Sequence, residues 1–214
     1  ETCEACAAHT NQVNKAIQIL QKKPIIYSMD PHNLQEIIES VNKIGEIIEK
    51  ENEAKKITES LQQRIKHVKK FTPKTRLKVL AIEWIEPFFT AGHWIPEMIK
   101  DAGGENMISV IGEHSRKLSI TEIIESEPDI IIMMPCGFDT FRTISEYNKT
   151  LKDNKSWNML KAVKNKKIFA VDANSYFSKP SIRTITGLEI LAKIIQPESF
   201  LNLNVPENSF LQIK

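Results

Sequence analysis

The stretch DIIIMMP, residues 129–135, is an unbroken apolar run that follows an aspartate and ends in a proline. A run of this kind is expected of a β-strand that is covered on both faces. A helical pattern precedes it at SITEIIESEPD (119–129), where Ser119 and Glu122 have the spacing of a capping box. Another helical pattern follows it at residues 139–152. The stretch therefore predicts a buried strand between two helices.

Two other strands extend this pattern on either side. LKVLAIEW (77–84) and KKIFAVD (166–172) are the strands, and WIPEMIKDAGGEN (94–106) and SIRTITGLEILAKII (181–195) are helices. The first of these helices is stopped by glycines, which suit a left-handed C-terminal cap. Because strands and helices alternate, we predict an α/β fold, an open parallel sheet with helices on both faces.

The region before residue 72 has a different character. PIIYSMD (24–30) has the composition of a short buried strand. Apolar residues then recur at helical spacing from Leu34 to Ile48 and, after a charged stretch, from Ile57 to Val68. We predict a long helix or a helix pair over about residues 33–71, ended by a boundary at TPKTR (72–76). The charged stretch is interpreted as a solvated face.

Composition excludes several classes of protein. The chain has 214 residues, with 41% hydrophobic and 26% charged residues and a formal net charge of +2. A balance this even argues against nucleic acid as a partner, because a phosphate-binding face leaves a clear basic excess. No apolar run reaches 18 residues, so nothing is predicted to span a membrane. No secretory signal is visible, and we expect the start at Glu1 to be a processed or cut end.

The three cysteines do not form a disulfide scaffold. Cys3 and Cys6 make a C-x-x-C, which suits either a redox pair or half of a zinc site. No second C-x-x-C and no nearby His-x-x-x-His completes such a site. The simpler interpretation is two small residues that pack on one face of a helix beginning near Thr2.

The connections that follow the three strands are unusually aromatic. They are WIEPFFTAGHW (84–94), PCGFDTF (135–141) and DANSYFSKP (172–180). In an open parallel sheet the carboxyl ends of the strands meet at one edge, and ligands bind beyond that edge. The three connections therefore predict a pocket wall for a large, flat or apolar ligand. The alternative is that individual rings fold back into the core.

Motifs for catalysis are mostly absent. There is no G-x-G-x-x-G after a strand, no phosphate-binding loop and no G-x-S-x-G elbow. Cys136 follows a strand, where a nucleophile could lie, and His93 is the only histidine on the same edge. His93 also suits a hydrogen-bonding role or coordination of the metal in a metal-bearing ligand. Asp139 is interpreted as a helix cap rather than an acid or base. The remaining histidines are scattered and show no ligand spacing: His9, His32, His67 and His114.

Several blocks of the chain resemble a known family. They are EPFFTAGHWIPEMIKDAGGEN (86–106), EPDIIIMMPCGF (127–138), W..L.AV....IFAVDANSYFSKPSIR (157–183) and GLEILAKIIQPESF (187–200). Their order and spacing resemble the cobalamin-binding members of the solute-binding proteins that serve ABC importers of cobalamin and ferric siderophores. The opening ETCEACA (1–7) resembles a segment found partway into such proteins.

This resemblance implies two α/β lobes joined by one long rigid helix, with the ligand held between them. Residues 1–48 would be the remnant of an N-terminal lobe, residues 49–73 the connecting helix and residues 74–214 the C-terminal lobe. Members of the family have a further stretch before ETCEACA that carries the first strands of the N-terminal lobe. We expect the partial lobe to expose sheet edge and apolar surface, and the chain to associate with itself or with its missing part.

The resemblance also implies which residues face the ligand. They are Trp84, Phe88, Phe89, His93, Trp94, Cys136, Phe138, Tyr176 and Phe177. Arg183, at the start of the last helix, would bond a ligand amide or carboxylate, or cap the local backbone. The chain departs from some members at Ser178, followed by Lys179, where an acidic residue docks onto the permease.

The function implied is a non-catalytic one: capture of cobalamin, or another metal chelate, for delivery to an ABC permease, with no intrinsic cofactor and no resident metal. The location implied is extracytoplasmic, periplasmic-like or membrane-associated, and a cytoplasmic one stays open. A ferric siderophore or haem is the alternative ligand. Such anionic ligands favour several arginines, and only Arg142 and Arg183 lie near the three connections, which favours the corrinoid. An enzyme that uses Cys136 and His93 is the alternative from another class.

Overall fold

The computed structural model describes residues 10–71 and 73–214, so the Cys3–Cys6 pair lies outside the described residues. Its centre is a six-stranded sheet. The strands are β1 (Lys78–Ile85), β2 (Phe88–Thr90), β3 (Glu105–Asn106), β4 (Ile130–Met133), β5 (Ile168–Val171) and β6 (Phe210–Gln212). They lie in the order β2-β1-β4-β5-β6, with β3 beside the first half of β1.

The predicted parallel sheet is confirmed in its central strands. β1, β3, β4 and β5 run parallel, and the buried run 129–135 contains β4, the strand between β1 and β5. The prediction missed that β2 and β6 pair antiparallel at the two ends of the sheet. Both are three-residue strands, too short for the apolar pattern to reveal.

Helices cover both faces of the sheet, as predicted. They are α1 (Thr10–Gln18), α2 (Leu34–Ile47), α3 (Glu51–Lys69), α4 (Ile95–Asp101), α5 (Ile120–Glu125), α6 (Thr140–Thr150), α7 (Lys161–Lys164), α8 (Ala173–Tyr176) and α9 (Thr184–Ile195), with a 3-10 turn at Trp157–Met159. Alternate residues of β4 enter two separate cores. Ile130 and Ile132 pack with α2, α3, α4 and α9, whereas Ile131 and Met133 pack with α5 and α6.

The helical region at 33–71 is a helix pair. Asn33 caps α2 by accepting a hydrogen bond from the Glu36 N–H at 2.9 Å. The chain turns at residues 48–50, where Glu49 has a φ of 56°. α2 and α3 pack closely at Gly45, because a side chain there would overlap Ala54. None of the described helices is both long and apolar enough to cross a membrane.

One prediction about the N-terminal region is wrong. PIIYSMD (24–30) has no regular secondary structure, and Ile25 and Ile26 are 75% and 57% exposed. The apolar composition is that of a buried strand, but no strand of the described chain lies beside this segment to pair with it. The assignment of residues 1–48 to a lobe remnant, and self-association through it, stay predictions.

Candidate functional site

The three aromatic connections meet at the carboxyl edge of the sheet and are joined by hydrogen bonds and a ring contact. The Cys136 N–H of the second connection donates to the Glu83 carbonyl of β1 at 3.1 Å, and the Trp84 ring of the first connection contacts the Phe138 ring of the second. The Asn174 N–H donates to the Phe138 carbonyl at 3.0 Å, and the Gly137 N–H to the Ser178 hydroxyl at 3.0 Å. These two bonds join the second connection to the third, so the three form one continuous rim.

The first connection is a hairpin rather than a loop. β1 ends at Ile85, and after Pro87 the chain returns as β2. This reversal places Phe88 on the core side of the sheet. Its ring stacks on the buried Trp157 ring at 5.7 Å with 12° between the planes. Phe88 therefore serves the core in this structure.

An open hollow lies between the first and second connections. Trp84, 39% exposed, meets the ring of Phe138 edge-on at 5.5 Å. The Arg142 guanidinium lies 3.7 Å from the centre of the Phe138 ring, in the range of a cation–π contact. Asp139 accepts a hydrogen bond from the Arg142 N–H at 2.7 Å and so caps α6. The hollow has a volume of about 180 Å³ and is lined by Trp84, Ile85, Glu86, Pro135, Phe138, Arg142 and Glu146.

The third connection is packed against α9. Phe177 is only 3% exposed and lies in the core, while Tyr176 is half-buried. Gly187 permits this contact, because a Cβ there would lie 2.7 Å from the Tyr176 carbonyl oxygen. Arg183 is exposed just before α9, and its N–H donates to the Ser181 hydroxyl at 3.2 Å. The position of this part of the rim therefore depends on α9.

The ten predicted ligand-facing residues differ widely in exposure. Trp94, Phe138 and Phe177 are 3%, 7% and 3% exposed. Phe88, Phe89, His93, Cys136 and Tyr176 are half-buried, and Trp84 and Arg183 are exposed. Trp84 and Phe138 are in contact, whereas Trp94 and Phe177 lie in the core. Their contacts with a ligand stay predictions.

Sequence reasoning missed a cluster of three histidines. The ring centres of His32, His93 and His114 lie 6.0, 5.9 and 4.9 Å apart in their three pairs. The residues come from separate chain segments, so their spacing along the sequence carried no signal. Within residues 10–71 and 73–214, no three His, Cys, Asp or Glu side chains are arranged to hold a metal ion.

His93 is held in an unusual setting. Its φ of 54° is in the left-handed region, and its Nδ1 is buried without a hydrogen-bond partner among the described atoms. Burial lowers the pKa of His93, and the neighbouring His114 and His32 lower it further. The ring is therefore kept neutral at physiological pH. Its ring neighbours are His32, Trp94 and His114.

Sequence reasoning also missed Glu83 as a buried polar residue near the rim. It lies where the pairing of β1 with β2 shifts register, between Ile82 and Trp84. Such bulges re-aim side chains. The Ser115 hydroxyl donates to the Glu83 carboxyl at 2.7 Å. Burial raises the pKa of Glu83, against the opposing effect of that hydrogen bond. A carboxylate near the end of the apolar run LKVLAIEW was the available signal.

The chain resembles known proteins over most of its length. A family model described as periplasmic binding protein matches residues 7–175. The high-affinity heme uptake system protein IsdE of Staphylococcus aureus strain MRSA252 is 26% identical over 159 residues, which are 72% of this chain and 53% of that protein. The same protein from strain Newman is also 26% identical, with the same coverage. The chain spans about half the length of the curated relatives it matches.

Solved structures share the fold. An ABC transporter substrate-binding protein from Listeria monocytogenes EGD-e has a TM-score of 0.74 at 19% identity, with 88% of this chain and 73% of that one covered. The periplasmic heme binding protein HutB of Vibrio cholerae has a TM-score of 0.73 at 17% identity, covering 88% and 74%. The periplasmic vitamin B12 binding protein BtuF of Vibrio cholerae has a TM-score of 0.67 at 18% identity, covering 87% and 69%. Proteins that share this fold are thus named for different ligands, heme in one case and vitamin B12 in another.

Proposed function

This chain belongs to the periplasmic binding protein family, and on that premise we propose that it is the solute-binding component of an ABC importer that captures cobalamin between two lobes. The observation that carries the proposal is the rim itself. Three aromatic connections meet at one sheet edge through hydrogen bonds and the Trp84–Phe138 ring contact, around an open hollow walled by those two rings. A rim of this kind suits burial of a broad apolar ring system.

The hollow supports a role as one wall of a clamp. Its volume of about 180 Å³ is below the several hundred Å³ of a site that encloses a drug-sized ligand. A planar complex larger than this would rest on the rim and be covered from the other side by a second lobe. In this proposal residues 49–73, which include α3, connect the lobes, and residues 74–214 form the C-terminal lobe.

The charges at the hollow favour a nearly neutral corrinoid. One guanidinium, Arg142, faces two carboxylates, Glu86 and Glu146, so the formal charge of the lining is −1 (one positive and two negative groups). A polyanionic ferric chelate would meet net repulsion there. Trp84 and Phe138 would pack against the ring, with Phe89, His93, Cys136 and Tyr176 completing the wall. Arg183 would bond a peripheral amide, and Trp94, Phe88 and Phe177 would support the rim.

Haem is the second candidate ligand. The S. aureus relatives carry the name of a heme uptake protein. Among the described residues the Arg142 guanidinium has a ring contact with Phe138 but no ion pair. It is therefore available to a carboxylate on a ligand, and haem carries two carboxylates.

Titration decides between the two ligands. The protein with both of its proposed lobes is titrated with cyanocobalamin, with hemin and with a ferric hydroxamate, while visible absorption and heat are recorded. We expect saturable cobalamin binding with a Kd at least tenfold below that for hemin. Tight hemin binding with no response to cobalamin would establish the second candidate. No saturable response to any of the three at micromolar concentration would reject a carrier of metal complexes.

The same proposal implies a partner protein and a location in the cell. The protein would act outside the cytoplasm and deliver its ligand to an ABC permease. It would perform no covalent chemistry, so a Cys136→Ser variant should bind cobalamin within about twofold of the unmodified chain. A loss of binding in that variant, together with unusually fast alkylation of Cys136, would support the enzyme alternative instead.

A further inference from the structure

The histidine cluster joins three parts of the fold. His32 lies just before α2, His93 lies between β2 and α4, and His114 lies in the loop that precedes α5. The closest pair, His93 and His114, has ring centres 4.9 Å apart with an edge-on arrangement. The cluster therefore lies where the N-terminal end of α2 rests on the lobe that carries the rim.

Hydrogen bonds hold the loop at 110–115 between the other two segments. His32 Nδ1 lies 2.8 Å from the Gly112 carbonyl, so this nitrogen carries a proton and donates. The His93 N–H donates to the Glu113 carbonyl at 2.6 Å, and the Gly112 N–H donates to the His93 carbonyl at 3.0 Å. A Cβ at Gly92 would lie 2.6 Å from the Glu113 oxygen, which shows how closely these backbones approach.

The charges around the cluster can neutralise only part of its possible positive charge. Asp30 lies 3.6 Å from His32 Nε2 and adds a negative charge beside that ring. The other carboxylates nearby have partners of their own: Glu36 on the His32 N–H, Glu97 on the Leu34 N–H and Glu83 on Ser115. Glu113 is exposed beside His114, and Arg116 adds a positive charge to the same loop.

A second proton would place two like charges about 5 to 6 Å apart, at a cluster where His32 and His93 are half-buried and His114 is exposed. The site resists this while it stays closed, because His93 Nδ1 is buried without a described acceptor. Burial and the two neighbouring rings lower the pKa of His93. Opening the contact would hydrate the rings and relieve the repulsion, so proton uptake and separation of the segments are coupled.

We propose that the His32–His93–His114 cluster is a proton-binding site that releases the N-terminal end of α2 from the 110–115 loop in mild acid. Near pH 7.5 the neutral His93 ring keeps the contact closed. Near pH 5 a second proton opens it, and the N-terminal end of α2 becomes free to move relative to the 110–115 loop, while α3 stays held to α9 by Arg64 and Glu189. This inference does not depend on which ligand the rim binds.

Amide hydrogen exchange at pH 7.5 and pH 5.0, corrected for the intrinsic effect of pH, tests the proposal. We expect protection at residues 32–36 and 110–115 to fall at least tenfold at pH 5.0, while β4 amides keep theirs. A His114→Gln variant should keep protection to a lower pH, and its His93 imidazole proton NMR signal should titrate at a higher pH than in the unmodified chain. His67→Gln is the matched control, because His67 lies on α3 against Phe71 and Phe200, and this variant should behave as the unmodified chain.

Two results would overturn the inference. One is equal protection of both segments at the two pH values. The other is a His114→Gln variant whose exchange profile and His93 titration match those of the unmodified chain. If His114→Gln does not fold, His93→Gln gives the same exchange test, and the unmodified chain gives the imidazole titration.

Discussion

Arg64 on α3 and Glu189 on α9 form a two-pronged ion pair in which Nε and one terminal nitrogen of the guanidinium donate to separate carboxylate oxygens at 2.8 and 2.6 Å. The guanidinium also donates to the Thr186 hydroxyl at 2.8 Å. Glu189 is only 9% exposed, on an otherwise apolar helix. The pair therefore fixes the predicted connecting helix to the lobe that carries the rim.

Removing one member of this pair should destabilise the fold. Arg64→Ala leaves the buried Glu189 carboxylate without its donors, and we expect a loss of about 2 kcal/mol in the free energy of unfolding. The expected loss of stability is modest because the Arg64 side chain is 34% exposed and partly screened by solvent. Urea unfolding measures the change. Lys43→Ala is the control: its pair with Glu46 is more than half exposed on both sides, and its midpoint should not move. Equal shifts in both variants would contradict the assigned role.

Phe88 and Trp84 should separate stability from binding. Phe88→Ala removes the ring stacked on Trp157, and we expect it to lower the free energy of unfolding by about 2–3 kcal/mol while the remaining folded protein keeps its ligand affinity within about threefold. Trp84→Ala removes an exposed ring of the hollow, and we expect about a tenfold loss of cobalamin affinity with a smaller change in stability. Urea unfolding and ligand titration of both variants make the test. If Phe88→Ala mainly weakened binding and Trp84→Ala mainly lowered stability, the residues assigned to the rim would be wrong.

Glu83 should impose a pH-dependent cost on the fold. Burial raises the pKa of Glu83 in the folded state, so the folded protein binds this proton more tightly than the unfolded chain does. Stability therefore falls as pH rises from the unfolded pKa through the folded one, and the cost is complete above that range. Glu83→Gln removes the charge, so its stability relative to the unmodified chain should be higher at pH 7 than at pH 4. Urea unfolding at both pH values measures this, and a pH-independent difference would refute it.

Gly187 should control the position of the third connection. A Cβ at this position would lie 2.7 Å from the Tyr176 oxygen and 3.0 Å from the Phe177 ring. Gly187→Ala must therefore displace part of the rim, and we expect about 1–3 kcal/mol of destabilisation with weaker ligand binding. Gly137→Ala is a useful comparison, because nothing lies within 4 Å of its added Cβ and only its φ of 76° is unfavourable. Its cost should be about 1 kcal/mol. Unchanged melting and binding in Gly187→Ala would contradict the contact.

Local patterns predicted much of the fold. The capping box at Ser119 and Glu122 forms in both directions, with bonds of 3.2 and 2.9 Å. Gly103 has a φ of 89° and ends its helix as expected. The continuous apolar run at 129–135 lies between parallel neighbours. Each of these features depends on neighbouring residues or on burial of a whole segment, which the sequence displays directly. PIIYSMD has the apolar composition of a strand but does not form one, because a strand also needs a neighbouring strand to pair with.

The sequence by itself determined which segments of the sheet region after residue 76 are buried and that three aromatic connections share one edge, because residue periodicity and the parallel direction of strands suffice for both. Only the tertiary structure decided that Phe88 enters the core while Trp84, four residues earlier, stays at the rim. It alone brought His32, His93 and His114 within 6.0 Å of one another. The physical reason is that a hairpin reversal and the packing of distant segments set these distances, and neither leaves a period in the chain.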